Sequence, residues 1–156
     1  MRPPLAPCDW LGALEAEFAA LATGTLGLSN VKVEARLDAP PPAMAGAYLG
    51  LLAPWGGVQL ALVSDADGCA AIARGLLGTL AGEALEPPDV ADAVCEVVNI
   101  LAGAVKARVR QHGPLQMGLP TFFRGPVQPT ERLGVWALSV RAGDVPAALV
   151  VVHPRS

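Results

Sequence analysis

From Ala43 to Val63 the chain runs 21 residues without a charged side chain, long enough to carry a helix across a bilayer. Such a stretch is either a membrane span or a deeply buried pair of strands. Gly46, Gly50, Pro54, Gly56, Gly57 and Gln59 interrupt it, and Pro54-Trp55-Gly56-Gly57 is turn punctuation between two runs of strand length. The reading is a buried β-hairpin, 45–53 and 57–63, rather than a transmembrane helix. Composition agrees with a packed core: 53% of the 156 residues are apolar and 16% charged, with a formal net charge of −3, which excludes a disordered polyelectrolyte. That length suits a single domain.

Eleven Lys plus Arg stand against fourteen Asp plus Glu, and no basic block occurs, so no nucleic-acid partner is expected. Residues 1–8 are Pro-rich and lack the apolar segment of a signal peptide. They are expected to form a flexible leader to one domain over 9–156, in the cytoplasm and away from membranes. Cys8, Cys69 and Cys95 are odd in number with no Cys-x-x-Cys spacing, as in a reducing compartment. Cys69 and Cys95 read as small helix-packing residues.

Along the chain, Asp9 is a candidate N-cap for a helix whose face is Leu11, Leu14, Phe18 and Leu21, stopped near Gly24 and Gly27. Val31 to Leu37 alternates apolar and polar as a half-buried strand does. After the hairpin, Ser64-Asp65-Ala66-Asp67 opens a helix over 66–77 that ends near Gly78. Pro87-Pro88-Asp89 starts the longest helix, running to about His112 before Gly113-Pro114. Three strands follow, 115–123, 133–141 and 146–152, the last two joined by a turn at Ala142-Gly143-Asp144. The fold class is α+β, in which two helix-plus-three-strand halves share a sheet. Sliding the chain by 79 residues puts Glu17 on Glu96, Ala20 on Asn99 and Gly24 on Gly103, a hint of internal two-fold symmetry.

The long helix carries an apolar face of Val90, Ala93, Val94, Val97, Leu101, Ala104 and Val105, with Val98 and Ile100 on its margins. Asp89, Asp92, Glu96, Asn99, Gly103, Lys106 and Arg110 form the complementary stripe at steps of three and four. Acids near the start and bases near the end suit the helix dipole, as any solvated face would. Asn99 and Gly103 do not fit that account. In mid-helix Asn costs several tenths of a kcal/mol against Ala, and Gly about 1 kcal/mol, whereas Glu and Lys would serve solubility at less cost. Gly103 removes bulk where a partner's backbone approaches.

The segment Asp92-Ala93-Val94-Cys95-Glu96-Val97-Val98-Asn99-Ile100-Leu101-Ala102-Gly103 resembles the Glu-x-x-Asn signature, followed by Ala-Gly, of the CheC/CheX/FliY chemotaxis phosphatases. Gly118-Leu119-Pro120-Thr121 with Gly125 resembles the Leu-Pro-Thr strand of the CheX type, the nearest to this chain. The resemblance implies a CheC-like fold with the signature helix on the face of the sheet. It implies hydrolysis of the aspartyl phosphate of a CheY-like response regulator, with Glu96 and Asn99 catalytic and Asp92, Gly103 and Lys106 meeting the partner. Asn99 would orient the attacking water, since a carboxamide donates and accepts without repelling phosphoryl oxygens. Glu96 would pair with a lysine beside the regulator's phosphorylation site. Mg2+ would sit in the regulator, with no cofactor held by this chain, and the protein would be a homodimer. Two departures stand out. The first helix keeps Glu17 but has Ala20 where a second Asn would stand, so one active centre is expected. Ala104-Val105-Lys106 replaces the Asn and Ala-Lys that follow the glycine in close relatives. The alternative function is a noncatalytic interaction module of the same fold.

Other chemistry finds no footing. His112 and His153 lack zinc-ligand spacing, and Gly24-Thr25-Leu26-Gly27 and Gly75-Leu76-Leu77-Gly78 lack the Lys-Ser/Thr of a phosphate loop. Ser64 and Ser139 lack a Gly-x-Ser-x-Gly setting. Trp10, Trp55, Trp136 and Phe122 are too scattered for a base-stacking platform.

Overall fold

The uncharged stretch folds as its turn residues dictate. In the computed structural model, which describes residues 5–80 and 83–155, strands β2 (Ala45–Ala53) and β3 (Gly56–Ser64) pair antiparallel from Ala45↔Ser64 to Ala53↔Gly56. Gly56 takes φ +127° at the turn, a conformation open to glycine. The other elements are α1 (Pro7–Gly24), β1 (Val31–Leu37), α2 (Ala66–Leu77), α3 (Pro87–Arg108), β4 (Gln116–Met117), β5 (Thr121–Arg124), β6 (Leu133–Ala142) and β7 (Val145–Pro154), with a 3₁₀ turn at Arg110–His112. No helix among the described residues is long and apolar enough to cross a membrane.

All strands join one antiparallel sheet of order β1-β6-β7-β3-β2, with β4 and β5 both pairing to β2. The order is palindromic. Counted within each half it runs first, second, third, third, second, first, so each half lays its first strand on the other half's second. Two helix-plus-three-strand halves thus share the sheet, with α2 between them in sequence. On one sheet face Leu49, Leu60, Leu62 and Leu149 meet Trp10 and Phe18 of α1, Ile72 of α2 and Val97 of α3. On the other, Ala61, Val63, Val135, Ala137, Ala148 and Val150 form a second apolar cluster beneath Met44, Tyr48, Phe123 and Val127. The central strands are therefore buried on both faces, which is why their sequences read as continuous apolar runs.

Asp65 accepts the Gly68 N–H at 2.7 Å to start α2, and Gly78 ends it at φ +69°. Several expected boundaries shift. Helix α1 begins at Pro7, inside the segment read as a leader; Asp9 is not its N-cap but sits in the first turn and accepts the Ala6 N–H at 3.1 Å. Strand β1 is not half-buried: it lies on the sheet edge and only its ends are partly covered. A register shift between Val33 and Ala35 reverses its alternation, so Val31 joins the helix-side cluster and Leu37 the opposite one.

The expected strand 115–123 is two short pieces. Its register on β2 steps by one residue between Leu51↔Met117 and Tyr48↔Thr121. Gly118-Leu119-Pro120 occupies the bulge, where Pro120 has no N–H to give the ladder. The long helix stops at Arg108, short of His112, because the chain tightens into the 3₁₀ turn.

Candidate active site on the long helix

Seven residues of α3 are buried: Ala93, Val94, Val97, Val98, Leu101, Ala102 and Val105. This face is rotated from the expected one. Val98 is buried within it rather than at its margin, Ala104 is only partly buried, and Ile100 is 37% exposed. The rotation leaves the polar stripe directly opposite the core. Asp89, Asp92, Glu96, Lys106 and Arg110 are exposed, and Asn99 and Gly103 are partly exposed.

No hydrogen bond ties the Asn99 carboxamide to a described residue. The two ion pairs among the described residues, Arg108–Glu17 and Arg141–Glu34, leave Glu96 out. A Cβ on Gly103 would meet nothing within 4 Å. Close packing inside this chain therefore does not require the glycine, and nothing here offsets its cost of about 1 kcal/mol to the helix. An unbonded amide and a bare turn of backbone, side by side on a helix fixed by seven buried residues, make a rigid platform facing outward. Glu96 stands one turn before Asn99, within the roughly 5–6 Å Cβ spacing of such neighbours.

Around this platform the thiol of Cys95 is pushed up from its ordinary range, by burial first and by the Asp92 carboxylate second. Strand β5 lies beside α3, with Phe122 packed into the helix-side core and Leu119 of the bulge 88% exposed. On α1, Glu17 accepts from Arg108 Nε at 2.9 Å, while Ala20 is exposed. No group of three or more His, Cys, Asp or Glu side chains suited to a metal occurs among the described residues. Sequence reasoning did not anticipate the Glu17–Arg108 pair, which joins residues 91 positions apart. Nor did it find the groove that Leu76, Leu77 and Leu85 form beside Asp89, Asp92 and Glu96.

The fold is shared with solved proteins of bacterial chemotaxis. The CheX of Borrelia burgdorferi, crystallised as a CheX–CheY–BeF3–Mg2+ complex, superimposes with a TM-score of 0.73 at 15% identity, covering 98% of this chain and 100% of that one. A CheX from Desulfovibrio desulfuricans gives 0.72 at 15% identity, covering 94% and 99%. FliY of Thermotoga maritima gives 0.62 at 15%, covering 97% and 92%. No functionally curated protein matches by sequence. The family model described as chemotaxis phosphatase CheX matches residues 47–132, more than half of the chain and the whole of α3 and the Leu-Pro-Thr bulge. The chain belongs to the CheX family of chemotaxis phosphatases.

Proposed function

We propose that this chain hydrolyses the aspartyl phosphate of a CheY-like response regulator. The observation that carries the proposal is the outward, unbonded Asn99 beside the bare Gly103, two choices that cost the helix stability and that no contact among the described residues explains. In the reaction a water oxygen attacks phosphorus and the bond from phosphorus to the carboxylate oxygen breaks, releasing inorganic phosphate and the free aspartate. An acyl phosphate is already activated, so catalysis consists mostly of positioning and electrostatic support. The Asn99 carbonyl accepts a hydrogen bond from the water and so points the water's free lone pair at phosphorus. Its NH2 donates toward the phosphoryl oxygens, which a carboxylate in its place would repel. Glu96 holds a cationic side chain of the docked regulator, and Asp92, Gly103 and Lys106 complete the contact. In this reading Mg2+ belongs to the regulator and not to this chain. The reading extends to a cytoplasmic protein that works as a homodimer.

Phosphate release from purified, phosphorylated receiver domains tests this. Wild-type protein accelerates release, and Asn99→Ala lowers the catalysed rate at least about a hundredfold, the scale of losing a water-positioning group, while the partner still binds. Equal release with wild type and Asn99→Ala overturns the assignment. Binding without acceleration by the wild type is the result a noncatalytic module would give.

A further inference from the structure

Beside the acidic half of the α3 stripe lies a groove of about 300 Å3 walled by Leu76 and Leu77 at the end of α2, Leu85 in the α2–α3 connection, and Asp89, Asp92 and Glu96 of α3. Leu77 is 50% exposed, although α2 has already sealed its buried face with Cys69, Ile72 and Ala73. Ile100, one turn along α3 from Glu96, extends the apolar edge. All three titratable groups in the wall are carboxylates, and none is in an ion pair among the described residues. Carboxylates beside one exposed and two partly buried leucines match a lysine or arginine, whose aliphatic stem covers apolar surface while its head stays charged.

We infer that this groove seats a Lys- or Arg-bearing surface of the same receiver domain whose aspartyl phosphate Asn99 addresses, an inference that rests on the phosphatase reading. The stem lies over Leu77 and Leu85, and the cationic head lies between Asp89 and Asp92. Continuity supports one occupant for both places. Glu96 belongs to the groove and to the stripe, and a specific interface covers about 800 Å2 per partner, far more than the turn around Asn99. Charge fixes the direction of docking. The stripe runs from Asp89, Asp92 and Glu96 to Lys106 and Arg110, so a basic segment is attracted at the groove and repelled at the far end.

The experiment uses the full chain with receiver domains phosphorylated by a small-molecule donor, together with binding of their BeF3–Mg2+ forms. Leu77→Ala and Asp89→Asn are each expected to raise KM about tenfold, with kcat within twofold, and Asp89→Asn to flatten the salt dependence of binding. Leu77 is half exposed, so its truncation leaves folding intact, which a thermal melt checks. KM and affinity unchanged in both variants, while Asn99→Ala abolishes turnover, overturns the groove and leaves the phosphatase reading standing. Weakened binding in both, from a wild type that binds without turnover, supports the groove and overturns the catalytic reading. A wild type that neither binds nor turns over any receiver domain overturns both.

Discussion

If the proposed docking holds, Gly103 separates stability from function in a single residue. Because a Cβ there meets open space, Gly103→Ala gains the intrinsic helix preference of about 1 kcal/mol without a clash. In a domain of this size that raises Tm by about 2–4 °C. Gly103→Leu gains stability for the same reason but places a branched side chain where, on the proposed docking, the regulator's backbone approaches. The expected result is a higher Tm in both variants, read by a thermal melt, and a KM for phosphorylated receiver domain raised only in the leucine variant. A leucine variant with wild-type KM would show that no partner closes on that turn. Asn99 and Gly103 were legible in the sequence because each breaks a local rule inside a helix that otherwise obeys them. The ion pair that immobilises Glu17 was not legible, since nothing local announces a contact with Arg108 91 residues away.

Elements were legible where one signal ruled and illegible where two competed. The Pro54–Gly57 turn and the Gly78 stop fall where side-chain chemistry puts them. Alternation in β1 promised one buried face, but alternation says nothing of a bulge, and the shift near Glu34 sends Val31 and Leu37 to opposite faces. Helix α2 illustrates how an element is seated. Cys69 donates from Sγ to the Ala45 carbonyl at 3.3 Å, and burial pushes its thiol up to about 11 from 9.0. The folded protein thus holds this proton more tightly than the unfolded chain. Its contribution to stability, about 2–3 kcal/mol at one pKa unit per 1.36 kcal/mol, is fully present below pH 9 and is lost as pH rises through 11. Denaturant midpoints of the wild type should therefore fall more steeply from pH 9 to 11 than those of Cys69→Ala. Parallel curves would mean that the folded protein holds this proton no more tightly than the unfolded chain does.

At the scale of the whole molecule, the palindromic sheet shows that the two halves repeat one strand order, although their strands do not keep the 79-residue spacing that aligns the helices. Both edge positions, β1 and β4–β5, carry a one-residue bulge, so the halves repeat an irregularity as well as an order. The symmetry stops at the helices. Helix α1 ends at Gly24, the counterpart of Gly103, whereas α3 runs five residues further and gains Lys106 and Arg108 in its last turn. Arg108 then reaches across to Glu17, so the carboxylate that matches Glu96 is occupied from within. The half-exposed pair contributes less than about 1 kcal/mol to stability, so its consequence is one of availability. On the proposed mechanism Ala20 completes the loss, since no amide stands there. Restoring the amide alone should fail: Ala20→Asn is expected to leave kcat per chain unchanged, where a working second centre would double it. The informative comparison is Ala20→Asn with Arg108→Ala, which frees Glu17 while leaving Glu96 and Asn99 untouched. A rate gain confined to that double variant, measured as phosphate release in an Asn99→Ala background, locates the silence of the first half in the ion pair. A gain from Ala20→Asn alone would show that the missing amide was the whole difference between the two halves.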